Sequence, residues 1–209
     1  MSIRTIGLTG GIASGKSAVS ERLLSLGATI LCADTVYHQL ISPSDNQPSP
    51  LAQEVADAFP GVLREDGAID RGALGAQVFG NPEQLQRLGS ITGPAIAAES
   101  ARQIQTFQEE GVSLVIYDMP LLFERELEGA MEGVIVVWVP RAVQLQRLQA
   151  RNGLSTSEAE KRVASQLPLD DKRERGTWII DNSGSLEDTH TQVDSLWAQL
   201  TPELSPAQK

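Results

Sequence analysis

Short apolar runs alternate along this chain with longer stretches in which apolar residues recur at helical spacing. The first run, around Ile6 to Leu8, leads through a glycine-rich turn into Ser17 to Leu26, a helical pattern that stops at Gly27, a residue suited to the position just past a helix. Ala28 to Leu31 predicts a second strand ending at Cys32-Ala33-Asp34, which puts Asp34 at a strand's carboxyl end. A short helix over Val36 to Ile41 follows, then a Pro/Ser/Asn/Asp loop from Ser42 to Pro50. Beyond it the pattern is mostly helical. Leu51, Val55, Ala58 and Phe59 share a face closed by Pro60-Gly61, and Leu74, Val78 and Phe79 mark a short helix. Leu85, Leu88, Ile91, Ile96, Ile104 and Phe107 mark a longer helical stretch interrupted near Gly93-Pro94.

Leu114 to Tyr117, followed by Asp118, and Val134 to Val139, closed by Pro140, read as buried parallel strands. Residues Arg141 to Arg175 turn helical and basic, Trp178 to Ile180 is the last strand, and a helix runs from about Leu186 to Leu200. The tail from Thr201 to Lys209, with two prolines and little to bury, is expected to fray. Strand and helix in alternation predict an α/β fold, a doubly wound parallel sheet of five strands with helices on both faces.

The turn after the first strand changes the picture from fold to chemistry. Gly10-Gly11-Ile12-Ala13-Ser14-Gly15-Lys16-Ser17 is a complete G-x-x-x-x-G-K-[ST] loop between a strand and a helix. Its glycines free the backbone to turn consecutive N–H groups around an anion, and Lys16 adds a mobile positive charge. Ser17, at the opening of the helix, is placed to bind Mg²⁺ while the helix dipole faces phosphates.

Length and charge narrow the rest. The 209 residues suit one α/β core with a helical insertion, and the net charge of −10 argues against nucleic acid or an anionic membrane surface as partner. Cys32 is the single cysteine, so no internal disulfide forms, and no apolar run approaches the roughly 20 residues of a membrane span. A cytoplasmic location is expected.

A triphosphate in the loop places its γ-phosphoryl at the mouth of the sheet, where Asp34 and Asp118 are the acids in position. One takes or orients the proton of an acceptor hydroxyl and the other orders water around Mg²⁺, and spacing alone assigns neither role. Between Arg141 and Arg175 eight basic residues face five acidic ones in an otherwise acidic chain. Arg147 and Arg151, four apart, share a helix face in lid-like geometry, ready to neutralise charge on a transferring phosphoryl group. Asp181-Asn182-Ser183-Gly184 supplies either contacts to an adenine edge or a capping turn with Ser185 as N-cap. Cys32 reads as a small buried filler, and His38 and His190 as exposed or packing residues.

Taken together these segments resemble the dephospho-coenzyme A kinase family. The likeness spans about residues 4 to 200 and rests on Gly7 to Ser17, Ala33-Asp34, Asp118-Met119-Pro120-Leu121-Leu122-Phe123-Glu124, Gln144 to Leu148, Arg162 with Gln166, and Asp181 to Gly184. It implies transfer of the ATP γ-phosphoryl group to the 3′-hydroxyl of dephospho-CoA. By that similarity Asp34 matches the catalytic base, Lys16 serves the phosphates and Arg147 matches the lid arginine. The nucleotide is held by Gly11, Ile12, Ala13, Ser14, Gly15, Lys16, Ser17 and Asn182. The acceptor meets Thr9, Asp34, Asp118, Leu121, Arg151 and Arg162, and Mg²⁺ sits on Ser17 with Asp118 acting through water.

The resemblance also implies a core (1–41, 111–140 and 177–200), a helical CoA domain (42–110) and a lid (141–176), beside the disordered tail (201–209), in a protein expected to be a monomer, with a homo-oligomer as the alternative. Two positions depart from the family's pattern, Cys32 where it usually has Asp and Gly93 where it usually has His, and both bear on acceptor binding. Ala13 replaces a usual loop glycine at a position the motif leaves free. Other readings of the same loop are a nucleotide-hydrolysing switch and a degenerate ATP- or CoA-binding protein. The absence of D-x-x-G spacing after Asp118 and of an N-K-x-D signature argues against a GTPase.

Overall fold

The computed structural model describes residues 3–78 and 80–202, so Phe79 and most of the tail expected to fray lie outside the described residues. Five strands, β1 (Arg4–Gly10), β2 (Thr29–Cys32), β3 (Leu114–Asp118), β4 (Gly133–Trp138) and β5 (Trp178–Asp181), form a parallel sheet in the order β2-β3-β1-β4-β5. The register sets Leu8 opposite Asp118 on one side and Ile135 on the other, and Trp138 opposite Asp181. The strands end one residue later than the hydrophobic runs at β2, β3 and β5, because backbone pairing continues past the last apolar side chain.

By internal packing the chain divides into two units. One combines the chain up to Ile30 with the chain from Val112 onward, and the other runs from Leu31 to Gly111; the boundary falls inside β2. In the first unit, side chains alternate across the strands, so Ile6 and Leu8 share a sheet face with Ile116, Ile135, Val137 and Ile180. Against that face pack Val19 and Leu23 of α1 (Lys16–Ser25) and Val193, Leu196 and Leu200 of α9 (Leu186–Leu200). Helix α1 closes in a Schellman turn: the Ala28 N–H donates to the Leu23 carbonyl and the Gly27 N–H to the Leu24 carbonyl, both at 3.0 Å, with Gly27 at φ 90°. Helix α9 starts in a capping box between Ser185 and Asp188, as the Ser185 N-cap expectation required. The basic stretch after β4 holds α6 (Arg141–Asn152), α7 (Thr156–Ala164) and α8 (Leu169–Arg175).

The second unit is helical: α2 (Ala33–Ile41), α3 (Pro50–Ala58), α4 (Arg71–Val78) and α5 (Pro82–Glu109). Its own core gathers Ala52, Val55, Phe59, Val62, Ile69, Leu74 and Val78, with Leu88 and Ile91 packed on it. Ser49 caps α3 and Asn81 caps α5, each followed by a proline that needs no N–H partner there. The expected break at Gly93-Pro94 does not occur. Helix α5 continues for 28 residues with Pro94 inside it. Pro94 removes one internal bond, a cost of about 3 kcal/mol, but the face bearing Thr92, Ile96 and Ser100 stays buried on both sides of it, and that packing carries the helix through.

Candidate active site

Between β1 and α1 the chain makes a tight cup. The Ser14 N–H donates to the Gly11 carbonyl at 3.0 Å, and Gly15, at φ 84°, turns the backbone into the first turn of α1. Glycine is required at Gly15 for space as well as for its backbone angle, since a β-carbon there would lie 2.0 Å from Asn182 Nδ2. At Gly11 a β-carbon would lie 2.5 Å from Gln144 Nε2. Replacing Gly15 by Ala is therefore expected to lower the melting temperature by about 2–8 °C, from a left-handed-residue cost of about 1–2 kcal/mol before any clash is counted. It should also raise the KM for ATP about tenfold by distorting a preorganised site. Differential scanning fluorimetry and initial rates check both.

Lys16, the first residue of α1, pairs with Asp118 at the end of β3, and the Ser20 hydroxyl donates to the second Asp118 oxygen at 2.6 Å. Asp118 is only 5% exposed, so its charge is held by these two groups. The lysine thus rests on the neighbouring strand end. Ser17, one residue on, presents an exposed hydroxyl.

The segment after β4 grips the cup from outside. Gln144 of α6 is buried and donates from Nε2 to the Ile12 carbonyl at 2.7 Å, while the Ile12 N–H donates to Gln166 Oε1 at 2.8 Å. Both polar groups of one loop residue are thus held by glutamines of the predicted lid. Arg147 donates to the Asn182 carbonyl at 2.9 Å and brings Nη1 to 3.7 Å from the β-carbon position of Gly15. Asn182 is buried; its amide donates to the Ser14 carbonyl at 2.7 Å and its Oδ1 accepts from the Thr189 hydroxyl at 2.7 Å. That side chain pins the loop to α9.

The other candidate residues divide. Thr9 is fully buried with its hydroxyl on the Pro120 carbonyl at 2.9 Å, so it braces the ends of β1 and β3. Leu121 is 36% exposed just beyond β3. Arg151 shares the face of Arg147 but is exposed and turns to Asn152, and Arg162 is exposed on α7 near Glu158. Asp34 lies in the first turn of α2, two residues past β2, exposed and without a hydrogen-bond or ion-pair partner among the described residues. Cys32, half-buried, stands at the N-cap of α2 without a side-chain capping bond. His38 accepts from Arg71 at 3.0 Å. Nothing local in the sequence marks Lys172, one of eight basic residues between Arg141 and Arg175, for a part at the loop, and Glu124 enters only in the segment that carries the family resemblance.

Oxygen donors suit Mg²⁺. Among the described residues no cluster of three or more His, Cys, Asp or Glu is arranged to hold a metal. Mg²⁺ held mainly by phosphates and water needs few protein ligands, and the exposed Ser17 hydroxyl and the Asp118 carboxylate would fit that mode.

A parallel sheet whose first strand runs into a G-x-x-x-x-G-K-S cup gripped by basic helices defines the P-loop kinase class. Residues 4–188 match the family model described as dephospho-CoA kinase. A dephospho-CoA kinase of Symbiobacterium thermophilum is 45% identical over 196 residues, covering 93% of this chain and 80% of the relative. Among solved structures, a Thermus thermophilus protein aligns with TM-score 0.79 at 33% identity over 96% of this chain and 100% of its own. A dephospho-CoA kinase of Campylobacter jejuni aligns with TM-score 0.62 at 27% identity, covering 96% and 98%. The chain belongs to the dephospho-CoA kinase family.

Proposed function

We propose that this protein transfers the γ-phosphoryl group of ATP to the 3′-hydroxyl of dephospho-CoA, giving CoA and ADP. The observation that carries the reading is the cup itself, with Lys16 held on Asp118 beside backbone shaped for phosphate. Supporting it is the family to which the chain belongs.

In this reading the loop N–H groups and Lys16 take the β- and γ-phosphates, Lys16 exchanging Asp118 for the nucleotide. Arg147, already against Gly15, neutralises charge on the transferring group. Asp34 accepts the proton of the 3′-hydroxyl as its oxygen attacks the γ-phosphorus and the bond to the β-phosphate oxygen breaks. Ser17, with Asp118 through water, holds Mg²⁺, which when bound offsets phosphate charge. Residues 42–110 receive the acceptor, and residues 141–176 form the lid. From its kinship with dephospho-CoA kinases we assign the protein to the cytoplasm, acting on small phosphorylated substrates as a monomer or a homo-oligomer; separately, among the described residues no helix is long and apolar enough to cross a membrane.

The test is a panel of acceptors: dephospho-CoA, adenosine, phosphopantetheine and water, each with Mg·ATP, followed by ADP release. Turnover with dephospho-CoA alone is expected. Equal ADP release without any acceptor would instead make the chain a nucleotide hydrolase.

A further inference from the structure

Lys172 is a lysine with no exposed surface, in the core of the first unit. An ammonium has three protons to donate, and all three are taken: by the Gly10 carbonyl at 3.3 Å, the Pro120 carbonyl at 2.9 Å and Glu124 Oε1 at 2.8 Å. No donor is left over for a ligand. Burial pushes its pKa below the usual lysine value, while the Glu124 carboxylate beside it pulls the other way.

What the three partners have in common is their position. Gly10 is the last residue of β1 and the first glycine of the phosphate loop; Pro120 lies just past β3 and also takes the Thr9 hydroxyl. Glu124 Oε1 in turn accepts the Leu167 N–H at 3.0 Å, and the neighbouring Gln166 accepts the Ile12 N–H at 2.8 Å. The bonds therefore close a ring, from Gly10 through Lys172, Glu124 and Leu167-Gln166 back to Ile12, that fixes two points of the loop two residues apart. We propose that Lys172 is a positioning residue for the phosphate loop, holding it in its anion-ready shape through the Gly10 carbonyl and the Glu124 link to the lid base.

The mechanism above does not use Lys172, but the proposal rests on its reading that the loop takes ATP. Without the ring the loop must be ordered when ATP binds, so affinity for nucleotide falls while the acceptor is untouched.

The experiment compares the parent with Lys172→Met, Glu124→Gln and the double variant, measuring Kd for a fluorescent ATP analogue, both KM values and melting temperature. Lys172→Met leaves the partly buried Glu124 carboxylate without its cation, so it should melt earlier and bind nucleotide about tenfold more weakly, with the KM for dephospho-CoA within about twofold of the parent. The double variant removes that stranded charge, so melting temperature should recover while nucleotide Kd stays high, a separation that a merely structural role does not produce. Parental Kd in a folded Met variant, or joint recovery of Kd and melting temperature in the double variant, overturns the proposal. Should neither Met variant fold, parental Kd in Glu124→Gln does the same. Failure of the parent to phosphorylate dephospho-CoA would sink the functional reading separately, because the Kd measurement needs no acceptor.

Discussion

Asp34→Asn is expected to lower kcat about 10²- to 10⁴-fold, the range for losing a positioned general base, and to leave the KM for ATP unchanged. The substitution keeps size and shape but replaces a charged, acceptor-only carboxylate with a neutral amide that cannot take the proton. It should cost little stability, because Asp34 is exposed in the first turn of α2 and no partner among the described residues depends on it. ADP release at saturating concentrations of both substrates is the measurement, and circular dichroism verifies that the fold is kept. Turnover near the parent's would remove Asp34 from the role of base.

Lys16→Met should cost about 10²- to 10³-fold in kcat, the scale of deleting one preorganised charge that meets the transition state. It carries a second consequence that Asp34→Asn does not. Asp118 is 5% exposed and loses its cation, keeping only the Ser20 hydroxyl. Breaking a buried pair from one side costs about 3–5 kcal/mol, so the nucleotide-free variant should also melt markedly earlier. Adding Asp118→Asn removes the stranded charge and should restore melting temperature without restoring activity. If activity returns along with stability, Lys16 is a structural cation and its place on the phosphates is wrong.

The features legible in the sequence are those written in local spacing. The glycine loop, the Gly27 stop of α1, the Ser185 cap and the strand-end Asp118 all depend on residues within a few positions of one another, and local chemistry dictates each of them. What spacing did not show comes from partners far apart in the chain. Pro94 sits within α5 because the burial of Thr92, Ile96 and Ser100 outweighs a local helix-breaking rule. Asn182 reaches Ser14 across 168 positions, so no local pattern shows that it pins the loop. Thr9 looks like an ordinary strand-end hydroxyl until Pro120 is found above it. Lys172 was one of eight basic residues in an apparently solvated stretch; only the strand ends around it show that it is buried.

The central claim is that the cup at Gly10 to Ser17 delivers a phosphoryl group to one particular alcohol. Phosphorus NMR of the reaction of Mg·ATP with dephospho-CoA tests it most directly, because it identifies where the phosphate ends. The account predicts ADP and a new 3′-phosphomonoester signal on the CoA ribose in equal amounts, with no inorganic phosphate. Inorganic phosphate accumulating at the same rate with and without dephospho-CoA would contradict it.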